Sequence, residues 1–215
     1  MNSHNIESPE FLELFHSGKP IRIRFQQVSP IEMDYVRRVT EILLQANHLS
    51  NFFAFTHTVI KEFMQNGVKA TQKRIYFKNN GLDIDKNHKQ AIEQFKESMS
   101  SGTIHTHQLS DEMDFLVELN FQEVDKKYFL ITVRNHGEMN SSEIKNVNFM
   151  IERGRRTNEV SDLLSDETSN KEGGGLGLSM IVILMKKLGL TPDCLYYEVK
   201  DSFTTFNVKI PYIRN

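Results

Sequence analysis

Three polar residues in the stretch "VIKEFMQNGVKA" have the types and spacing of side chains that could border a binding pocket. Glu62 and Asn66 are four residues apart, so on a helix they project from one face, with Lys69 about a turn further along. They flank the apolar stripe of that helix instead of lying opposite it, which is where a polar pair would line the edge of a pocket. Taken alone, such a pair is more often a solvated helix face, so its meaning depends on the rest of the chain.

The second candidate is the glycine run in "EGGGLGLSM", which contains Gly173, Gly174, Gly175 and Gly177 just before an apolar helix. Such a run can present backbone amides to phosphate, act as a hinge, or only lead into the helix. The chain has no G-x-x-x-x-G-K-[ST] string, which excludes a P-loop. A dinucleotide-binding βαβ unit carries its glycines early, whereas these fall near the end of the sequence. Both familiar phosphate-binding motifs are therefore excluded.

The third candidate is the turn in "ITVRNHGEMN", where Asn135, His136 and Gly137 end a strand. A helix with E-x-x-x-N, a strand-end turn with glycine, and a glycine-rich loop opening a helix, in that order, resemble the GHKL superfamily of ATP-binding domains. That superfamily includes histidine kinases, anti-sigma-factor kinases, type II topoisomerases and the large heat-shock chaperone. The resemblance covers roughly residues 21–212 and depends on order and spacing more than on any single motif.

The resemblance implies a role for each of these residues. Asn66 matches the asparagine whose side-chain oxygen binds Mg²⁺, and Glu62 matches the acidic residue that orients water or acts as a base. Lys69 is placed where it could reach a phosphate. The glycine run, up to Leu178, matches the loop whose backbone amides meet phosphate at the N-terminus of a helix. Thr204 matches a small hydroxyl residue that contacts the adenine side through water.

Adenine recognition departs from the family pattern at two positions. The family has aspartate where this chain has Asn135, and that carboxylate accepts a hydrogen bond from the adenine amino group. An asparagine carbonyl can accept the same bond but lacks the charge, a penalty of about 1 kcal/mol. Met139 also replaces a second glycine of this turn, which otherwise keeps Gly137. The implied cofactors are ATP and Mg²⁺, with weakened adenine binding, an altered base preference or loss of binding left open.

Two functions fit this pattern. The first is a stand-alone histidine kinase-like ATP-binding signalling protein. In the anti-sigma-factor kinase branch that it resembles, the module holds a protein partner and can phosphorylate a serine on an antagonist. No helix pair with an H-E-x-x-x-P phosphoacceptor precedes the module, which argues against a sensor kinase. The second is a degenerate GHKL module with weak or no nucleotide binding, which has lost catalysis and acts as a platform for protein interactions.

Composition narrows the classes of partner. The 215 residues are 39% apolar and 25% charged, as in soluble globular proteins, and no stretch is long enough to cross a bilayer. No signal peptide is visible, and a single cysteine, Cys194, fits a reducing cytoplasm. The net charge of -2 gives no reason to expect nucleic acid. We therefore expect a cytoplasmic protein with a protein partner, compatible with a homodimer, and without nucleic acid or membrane.

Residue patterns predict the elements that position these side chains. The first half is predicted to contain a strand at 21–25, a helix capped by Ser29 and Glu32 that runs to about 46, a helix from about 50 to 70, a strand at 73–79, and a helix over "NHKQAIEQFKESM". The second half is predicted to contain strands near 114–121 and 128–134, a helix from Ser141, the helix after the glycine run, and strands near 194–200 and 204–210. This order predicts an α+β fold, a two-layer α/β sandwich with helices on one face of a mixed, largely antiparallel sheet. The resemblance implies the Bergerat fold of histidine kinase-like ATPases.

A single main domain is expected. Residues 1–20 are predicted to be an N-terminal arm or short helix, and 21–215 a single GHKL ATPase-like domain. Within it, residues 82–112 are predicted to be an insertion. The polar segment of about 141–172 is predicted to be a mobile ATP lid.

Other residues with possible chemistry have simpler structural explanations. A structural role is favoured for His57, because nothing near it resembles a phosphoacceptor motif. His105 and His107 could bind a metal only with ligands from elsewhere. The arginines within 153–156 could contact phosphate from the lid, but a solvated, charged helix is favoured.

Overall fold

The computed structural model describes residues 9–26, 28–82, 88–100, 115–164 and 176–212. A 3₁₀ turn, Ser50–Phe52, precedes the third of the helices found in this part of the chain. The helices are α1 (Pro9–His16), α2 (Pro30–Ala46), α3 (Phe53–Asn79), α4 (His88–Ser100), α5 (Ser141–Arg156), α6 (Val160–Leu164) and α7 (Leu176–Lys187). The strands are β1 (Ile21–Phe25), β2 (Val117–Val124), β3 (Tyr128–His136), β4 (Leu195–Lys200) and β5 (Phe203–Pro211).

The five strands form one sheet in the order β1-β2-β3-β5-β4. Each of the four pairings among the described strands is antiparallel. The predicted α+β class with an α/β sandwich is confirmed, and the sheet is antiparallel throughout the described residues instead of mixed. Neighbouring strands β2 and β3 are joined by a short turn, whereas α5, α6, α7 and the edge strand β4 lie between β3 and β5 in the sequence.

The central strand β3 alternates between a buried and a half-buried face along its whole length. Phe129, Ile131 and Val133 point into the helical layer and are almost fully buried. Asn135 continues this inward row, so it is a polar side chain at the end of a buried apolar series. The alternation therefore carries an amide group to the interface between the sheet and α3.

Helix α3 supplies the central apolar face of the helical layer. Val59, Ile60, Phe63 and Met64 are all buried in the main core, at the i, i+3, i+4 spacing of one helix face. Full burial of such a side chain stabilises the fold by roughly 1.5–3 kcal/mol. Since this face is anchored in the core, the polar residues along its border have a defined position relative to the sheet.

The beginning of α2 agrees with its predicted cap. Glu32 accepts a hydrogen bond from the backbone N–H of Ser29 at 3.0 Å, and Pro30 follows as the first helical residue. This capping box satisfies N–H groups that have no partner within the helix. The predicted end near residue 46 is also confirmed, because α2 ends at Ala46.

The predicted strand at 73–79 is wrong, because α3 continues without a break to Asn79. Tyr76 and Phe77 favour strands locally, but here they pack on Phe95 of α4, with Phe77 and Phe95 forming a small second core. The Asn-Asn-Gly sequence ends the helix instead of joining two strands: Gly81 has φ +62 and Leu82 N–H donates to the Phe77 carbonyl at 2.9 Å. Tertiary packing therefore overrides the local strand preference.

Helix α5 packs closely on α7. Gly154 makes this possible, because a Cβ there would come within 2.6 Å of the Ser179 carbonyl oxygen and 2.7 Å of Val182 Cβ. The Ser179 hydroxyl donates to the Met150 carbonyl at 2.8 Å and so joins the two helices. At the other end, Lys186 of α7 donates to the carbonyls of Arg155 and Thr157. The second half of α5 is therefore joined to α7 along most of α7.

Two regional predictions have a partial structural description. Within 82–112, α4 occupies His88–Ser100, and most of the rest lies outside the described residues. The predicted lid segment contains α5 and α6, while 165–172 lies outside the described residues. Among the described helices, none is both long and apolar enough to span a membrane.

Candidate functional site

Glu62 and Asn66 lie side by side on α3 and are joined by a hydrogen bond. The Asn66 amide Nδ2 donates to Glu62 Oε1 at 2.9 Å. The Glu62 side chain is partly covered, and Asn66 is exposed. This bond orients the Asn66 amide so that its nitrogen faces Glu62 and its oxygen Oδ1 faces away. The pair therefore offers two kinds of oxygen, a carboxylate and an amide carbonyl, at one place on the helix surface.

The first turn of α7 lies against this pair. A Cβ on Gly177 would come within 2.0 Å of Glu62 Oε1 and 2.1 Å of Glu62 Cδ, so only glycine allows this approach with Glu62 in its present position. Leu178 follows and is buried in the core, which anchors the turn. Backbone N–H groups at a helix start have no partner within the helix, and they favour a nearby negative charge. Gly173, Gly174 and Gly175 lie outside the described residues.

Asn135 meets α3 at Gly67, the residue that follows Asn66. A Cβ on Gly67 would lie 3.3 Å from Asn135 Cβ, 3.5 Å from Asn135 Oδ1 and 3.0 Å from Val117 Cγ2. Asn135 is 4% exposed, and its Nδ2 donates to the His136 carbonyl at 2.9 Å. Because the amide nitrogen is held by the backbone, the Oδ1 atom is presented as an acceptor next to α3.

Thr204 and Gly137 complete the sheet side of the site. Thr204 is the cross-strand partner of Asn135 and is 3% exposed. Its hydroxyl donates to the Gly137 carbonyl at 2.8 Å. Gly137 has φ +92, a left-handed conformation that favours glycine, and its N–H donates to the Ser202 carbonyl. The turn after β3 is therefore tied directly to β5.

The structure brings most of the sequence-predicted residues into one connected set. Contacts run from Gly177 to Glu62 and Asn66, then through Gly67 to Asn135, and on to Thr204. Lys69 lies on α3 beyond Gly67 with an exposed side chain, and no contact joins it to this set. Within the described residues, no group of three or more His, Cys, Asp and Glu side chains could hold a metal ion.

Gly67 is not among the residues that the sequence motifs predicted for the site, although a glycine inside a helix is itself a notable feature. A glycine in a helix interior costs roughly 1 kcal/mol relative to alanine, so its presence usually has a packing reason. Here that reason is the close approach of β2 and β3, because a Cβ at this position would lie 3.0 Å from Val117 Cγ2 and 3.3 Å from Asn135 Cβ, tighter than most such contacts. Gly67 therefore allows Asn135 to pack closely on α3 beside Asn66.

A cluster of charged residues beside the site was also missed, because 73–79 was predicted to be a strand. The side chain of Arg74 lies on Gly137, where a Cβ would come within 1.8 Å of Arg74 Cδ and Nε. Its guanidinium donates to the Glu138 carbonyl and to Glu143 Oε2, the latter at 3.3 Å. Lys73 also forms an ion pair with Glu143. The cluster therefore connects α3 and the β3 turn with the first turn of α5.

The carboxylate of Glu143 is held in its charged form by this cluster. Burial alone would raise its pKa, but Lys73 and Arg74, together with the backbone N–H of Asn140, bring the pKa below the ordinary value of 4.5. Burial lowers the pKa of Arg74, and Glu143 opposes that change. Glu143 is also the third residue of α5 and forms a capping box with Asn140. One carboxylate therefore fixes the start of α5 and pairs with α3.

The remaining candidates have local contacts. His57 stacks on Phe53 with ring centroids 6.0 Å apart, and its Nδ1 is buried without a hydrogen-bond partner in the described part of the chain. Burial, with Lys61 and Arg37 nearby, lowers the pKa of His57, so the neutral ring is favoured. These contacts fit a packing role. His105 and His107 lie outside the described residues.

The arginines of the predicted lid also have contacts outside the Glu62 site. Arg153 donates to the Leu163 carbonyl at 3.2 Å, and Arg155 pairs with Glu152 at 2.6 Å. Arg156 is exposed at the end of α5. These positions agree with a charged helix surface.

Comparisons with known proteins give few matches. No family model matches the chain. A protein of Treponema pallidum (strain Nichols), named only as an uncharacterized protein, is 30% identical over 188 residues, which are 85% of this chain and 36% of that relative. The chain thus spans about a third of the relative's length. A chain from the crystal structure of the SiaB-SiaC complex from Pseudomonas aeruginosa matches with TM-score 0.47 and 12% identity, over 96% of this chain and 100% of that one. A TM-score of 0.47 does not establish a shared fold.

Proposed function

We propose that the chain is an ATP-binding signalling module of the GHKL type, which binds Mg-ATP between α3, the β3 turn and α7 and acts on a protein partner. The observation that carries the proposal is the contact of Glu62 with Gly177 beside Asn66. It places a carboxylate, an amide oxygen and the start of a helix at one point. These are the groups that a magnesium-bound phosphate chain requires.

The donor set suits Mg²⁺ held together with a nucleotide. Mg²⁺ prefers oxygen ligands, and in phosphate sites it usually takes one or two protein oxygens, the substrate phosphates and water. Asn66 Oδ1 is the proposed protein ligand, because its amide nitrogen is already bonded to Glu62. The lack of a three-residue acidic or histidine cluster in the described residues is compatible with this mode. Bound Mg²⁺ would neutralise charge where phosphate oxygens approach Glu62.

The sheet side of the site suits the exocyclic amino group of a base. Asn135 Oδ1 is an acceptor, since its amide nitrogen donates to the His136 carbonyl. Thr204 uses its hydroxyl proton on Gly137, so its oxygen can still accept a hydrogen bond from a water molecule. Adenine carries an amino group that could donate to Asn135, whereas the keto oxygen of guanine at the same place could not. We therefore propose adenine over guanine.

Glu62 is the proposed general base for phosphoryl transfer to a serine hydroxyl of the partner. ATP would supply the phosphoryl group. The carboxylate can accept the hydroxyl proton, and its bond from Asn66 and its contact with Gly177 hold it in one orientation. We also propose that the module acts as a stand-alone protein and that its target residue is a serine of a protein partner.

A second candidate function is a GHKL-like platform without catalysis, and Arg74 is the observation that favours it. Its side chain covers Gly137, the glycine of the turn that the resemblance assigns to adenine. Asn135 and Thr204 are also 4% and 3% exposed. In this alternative Arg74 permanently fills the space beside the turn and joins it to α5 through Glu143.

Titration with a fluorescent ATP analogue, with and without Mg²⁺, distinguishes the two functions. The first predicts saturable, Mg²⁺-dependent binding that unlabelled ATP displaces better than GTP, and that Asn66→Ala weakens by about tenfold or more. Asn80→Ala is the matched control, because Asn80 is an exposed asparagine at the far end of α3. No saturable binding at millimolar nucleotide by both the wild type and Arg74→Ala would support the platform and reject ATP binding.

A further inference from the structure

The outer face of α5 carries a groove that the Glu62 site does not use. This groove has a volume of about 460 Å³ and is lined by residues from the middle and end of the helix. Phe149 lies in it with 58% of its surface exposed. A single exposed apolar side chain needs no explanation on a flat surface, but an aromatic ring within a concave lining is a typical anchor point for a partner. The groove lining is Lys145, Asn148, Phe149, Glu152, Arg153, Arg156 and Thr157.

The charges around Phe149 are predominantly positive. Lys145, Arg153 and Arg156 line the groove, and the acidic lining residue, Glu152, is paired with Arg155 at 2.6 Å. The basic residues at the end of α5 complement its dipole, which is the simplest explanation for them. However, Lys186 of α7 already donates to the Arg155 and Thr157 carbonyls at this end. The positive lining therefore exceeds what the helix end requires.

A second copy of the chain related by a two-fold axis would fit this groove poorly. In a two-fold dimer the same patch faces itself, which would place the cations of one groove against those of the other. The overall net charge of -2 also gives no general attraction to nucleic acid or to an anionic membrane. A short acidic segment with an apolar side chain has the complementary chemistry, with carboxylates for the cations and a contact for Phe149.

Helix α5 also connects the groove to the Glu62 site. Its Gly154 packs on Ser179 in α7, and α7 begins at the turn where Gly177 touches Glu62. Its first turn holds Glu143, which pairs with Arg74 at the β3 turn. A ligand on the outer face of α5 therefore lies on an element that contacts both sides of the site.

We propose that this groove, centred on Phe149 on the outer face of α5, is a docking site for an acidic segment of a protein partner. The segment places carboxylates against Lys145 and Arg156 and an apolar side chain against the Phe149 ring. The interpretation of that partner as the substrate or regulator of the module rests on the proposed function, whereas the docking chemistry does not.

The test begins with a library of random peptides displayed on phage and panned against the full chain. We expect the selected peptides to combine aspartate or glutamate with an aromatic or aliphatic residue. The best peptide is then labelled and its affinity measured by fluorescence polarisation. Phe149→Ala and the double variant Lys145→Glu with Arg156→Glu are each expected to weaken binding by about tenfold or more.

Two matched controls come from elsewhere on the surface. Ile31→Ala removes an apolar side chain that is 81% exposed on α2. Lys200→Glu reverses a cation that is 79% exposed on β4. Both are expected to bind the peptide like the wild type, and circular dichroism verifies that all variants fold.

Several outcomes would overturn the proposal. These are selection of no peptide or of basic peptides, and equal weakening by the control variants. Binding of a single-stranded oligonucleotide or of anionic vesicles that is lost in the groove variants would assign the groove to another class of ligand. A dimer in sedimentation that Phe149→Ala dissociates would assign it to a second copy. Binding of the fluorescent ATP analogue is measured on the same variants. If the docking proposal is wrong but the module binds ATP, the groove variants bind the analogue like the wild type, so the two proposals are tested separately.

Discussion

The Cα atom of Gly177 lies directly against the carboxylate of Glu62, so that a Cβ at residue 177 would come within 2.0 Å of Glu62 Oε1. The two residues belong to helices far apart in the chain, and their contact places the start of α7 beside the acidic residue of α3. A helix start attracts negative charge, so Glu62 is favourably placed there. A bound phosphate would compete for the same place.

Gly177→Ala is expected to change nucleotide turnover more than the free energy of unfolding. The new methyl group meets the end of a flexible side chain, so Glu62 can rotate away and the loss of stability stays below about 1 kcal/mol. Displacement of Glu62 breaks its bond with Asn66 and, if Glu62 is the proposed base, lowers nucleotide turnover. Thermal unfolding and an ATPase or phosphoryl-transfer assay measure the two effects. A large fall in stability with unchanged turnover would contradict the role of this contact.

Gly154→Ala has the same chemical change but a different expected result. Its Cβ would meet the Ser179 backbone at 2.6 Å and Val182 Cβ at 2.7 Å, and neither can move without separating α5 from α7. Overpacking of this kind costs about 1–3 kcal/mol. Urea unfolding is the measurement, with Gly177→Ala as the internal comparison. Equal stabilities of the two variants would show that α5 and α7 are less closely packed at Gly154 than these distances indicate.

Glu62→Gln is expected to reduce the dependence of nucleotide binding on Mg²⁺. The carboxylate and the phosphates would share the start of α7, so without metal they repel one another. Glutamine keeps an oxygen acceptor for Asn66 but removes the charge. We expect metal-free ATP to bind about fivefold more tightly and turnover to fall by about a hundredfold, through loss of the proposed base. Calorimetric titration with and without Mg²⁺ measures the first effect, and Glu93→Gln is the control, because the Glu93 side chain is exposed on α4 away from the site.

Asn135→Asp is expected to lower the free energy of unfolding of the ligand-free protein and to strengthen ATP binding. The Asn135 amide donates to the His136 carbonyl, and an aspartate would place a carboxylate beside that carbonyl at a buried position, at a cost of about 2 kcal/mol. The added charge would strengthen the proposed bond from the adenine amino group by about 1 kcal/mol. Melting curves with and without Mg-ATP report both effects.

The control for this change is Asn207→Asp. Asn207 is equally buried but accepts a hydrogen bond from Thr132, on the sheet face away from α3. It should not change ATP affinity. An Asn135→Asp variant with unchanged or weaker affinity would count against adenine binding at Asn135.

Glu143→Gln is expected to lower the free energy of unfolding at neutral pH and to reduce its decline as the pH falls. The folded pKa of Glu143 lies below its ordinary value of 4.5, so its contribution is complete above that value and is lost as pH falls through the folded pKa. At pH 7 the variant leaves Lys73 and Arg74 without their carboxylate, at a cost of about 2–3 kcal/mol. Urea unfolding between about pH 3 and 7 should show a smaller decline for the variant than for the wild type. Glu41→Gln, which removes an exposed pair with Arg37, should follow the wild type.

Local patterns were sufficient for most elements of the fold. The capping box of Ser29 with Glu32 marks the start of α2 because its chemistry involves only residues a few positions apart. The alternation in β3 likewise predicts an inward row that ends at Asn135. The last turns of α3 could not be predicted in this way, because the strand preference of Tyr76 and Phe77 is overridden by packing on Phe95. That error concealed Arg74, whose position on the helix brings it to Gly137.

The sequence by itself determined which residues share a helix face or strand face, because those periodicities are local properties of the backbone. This is why Glu62 and Asn66 could be recognised as a pair. Only the tertiary structure decided what this pair faces, namely Gly177, and that Gly67 brings Asn135 beside it. Close approaches of this kind depend on how the helices and the sheet fill the core together. No local pattern encodes that packing. In the sequence, the close approaches correspond only to glycines, whose lack of a side chain does not indicate which residue they contact.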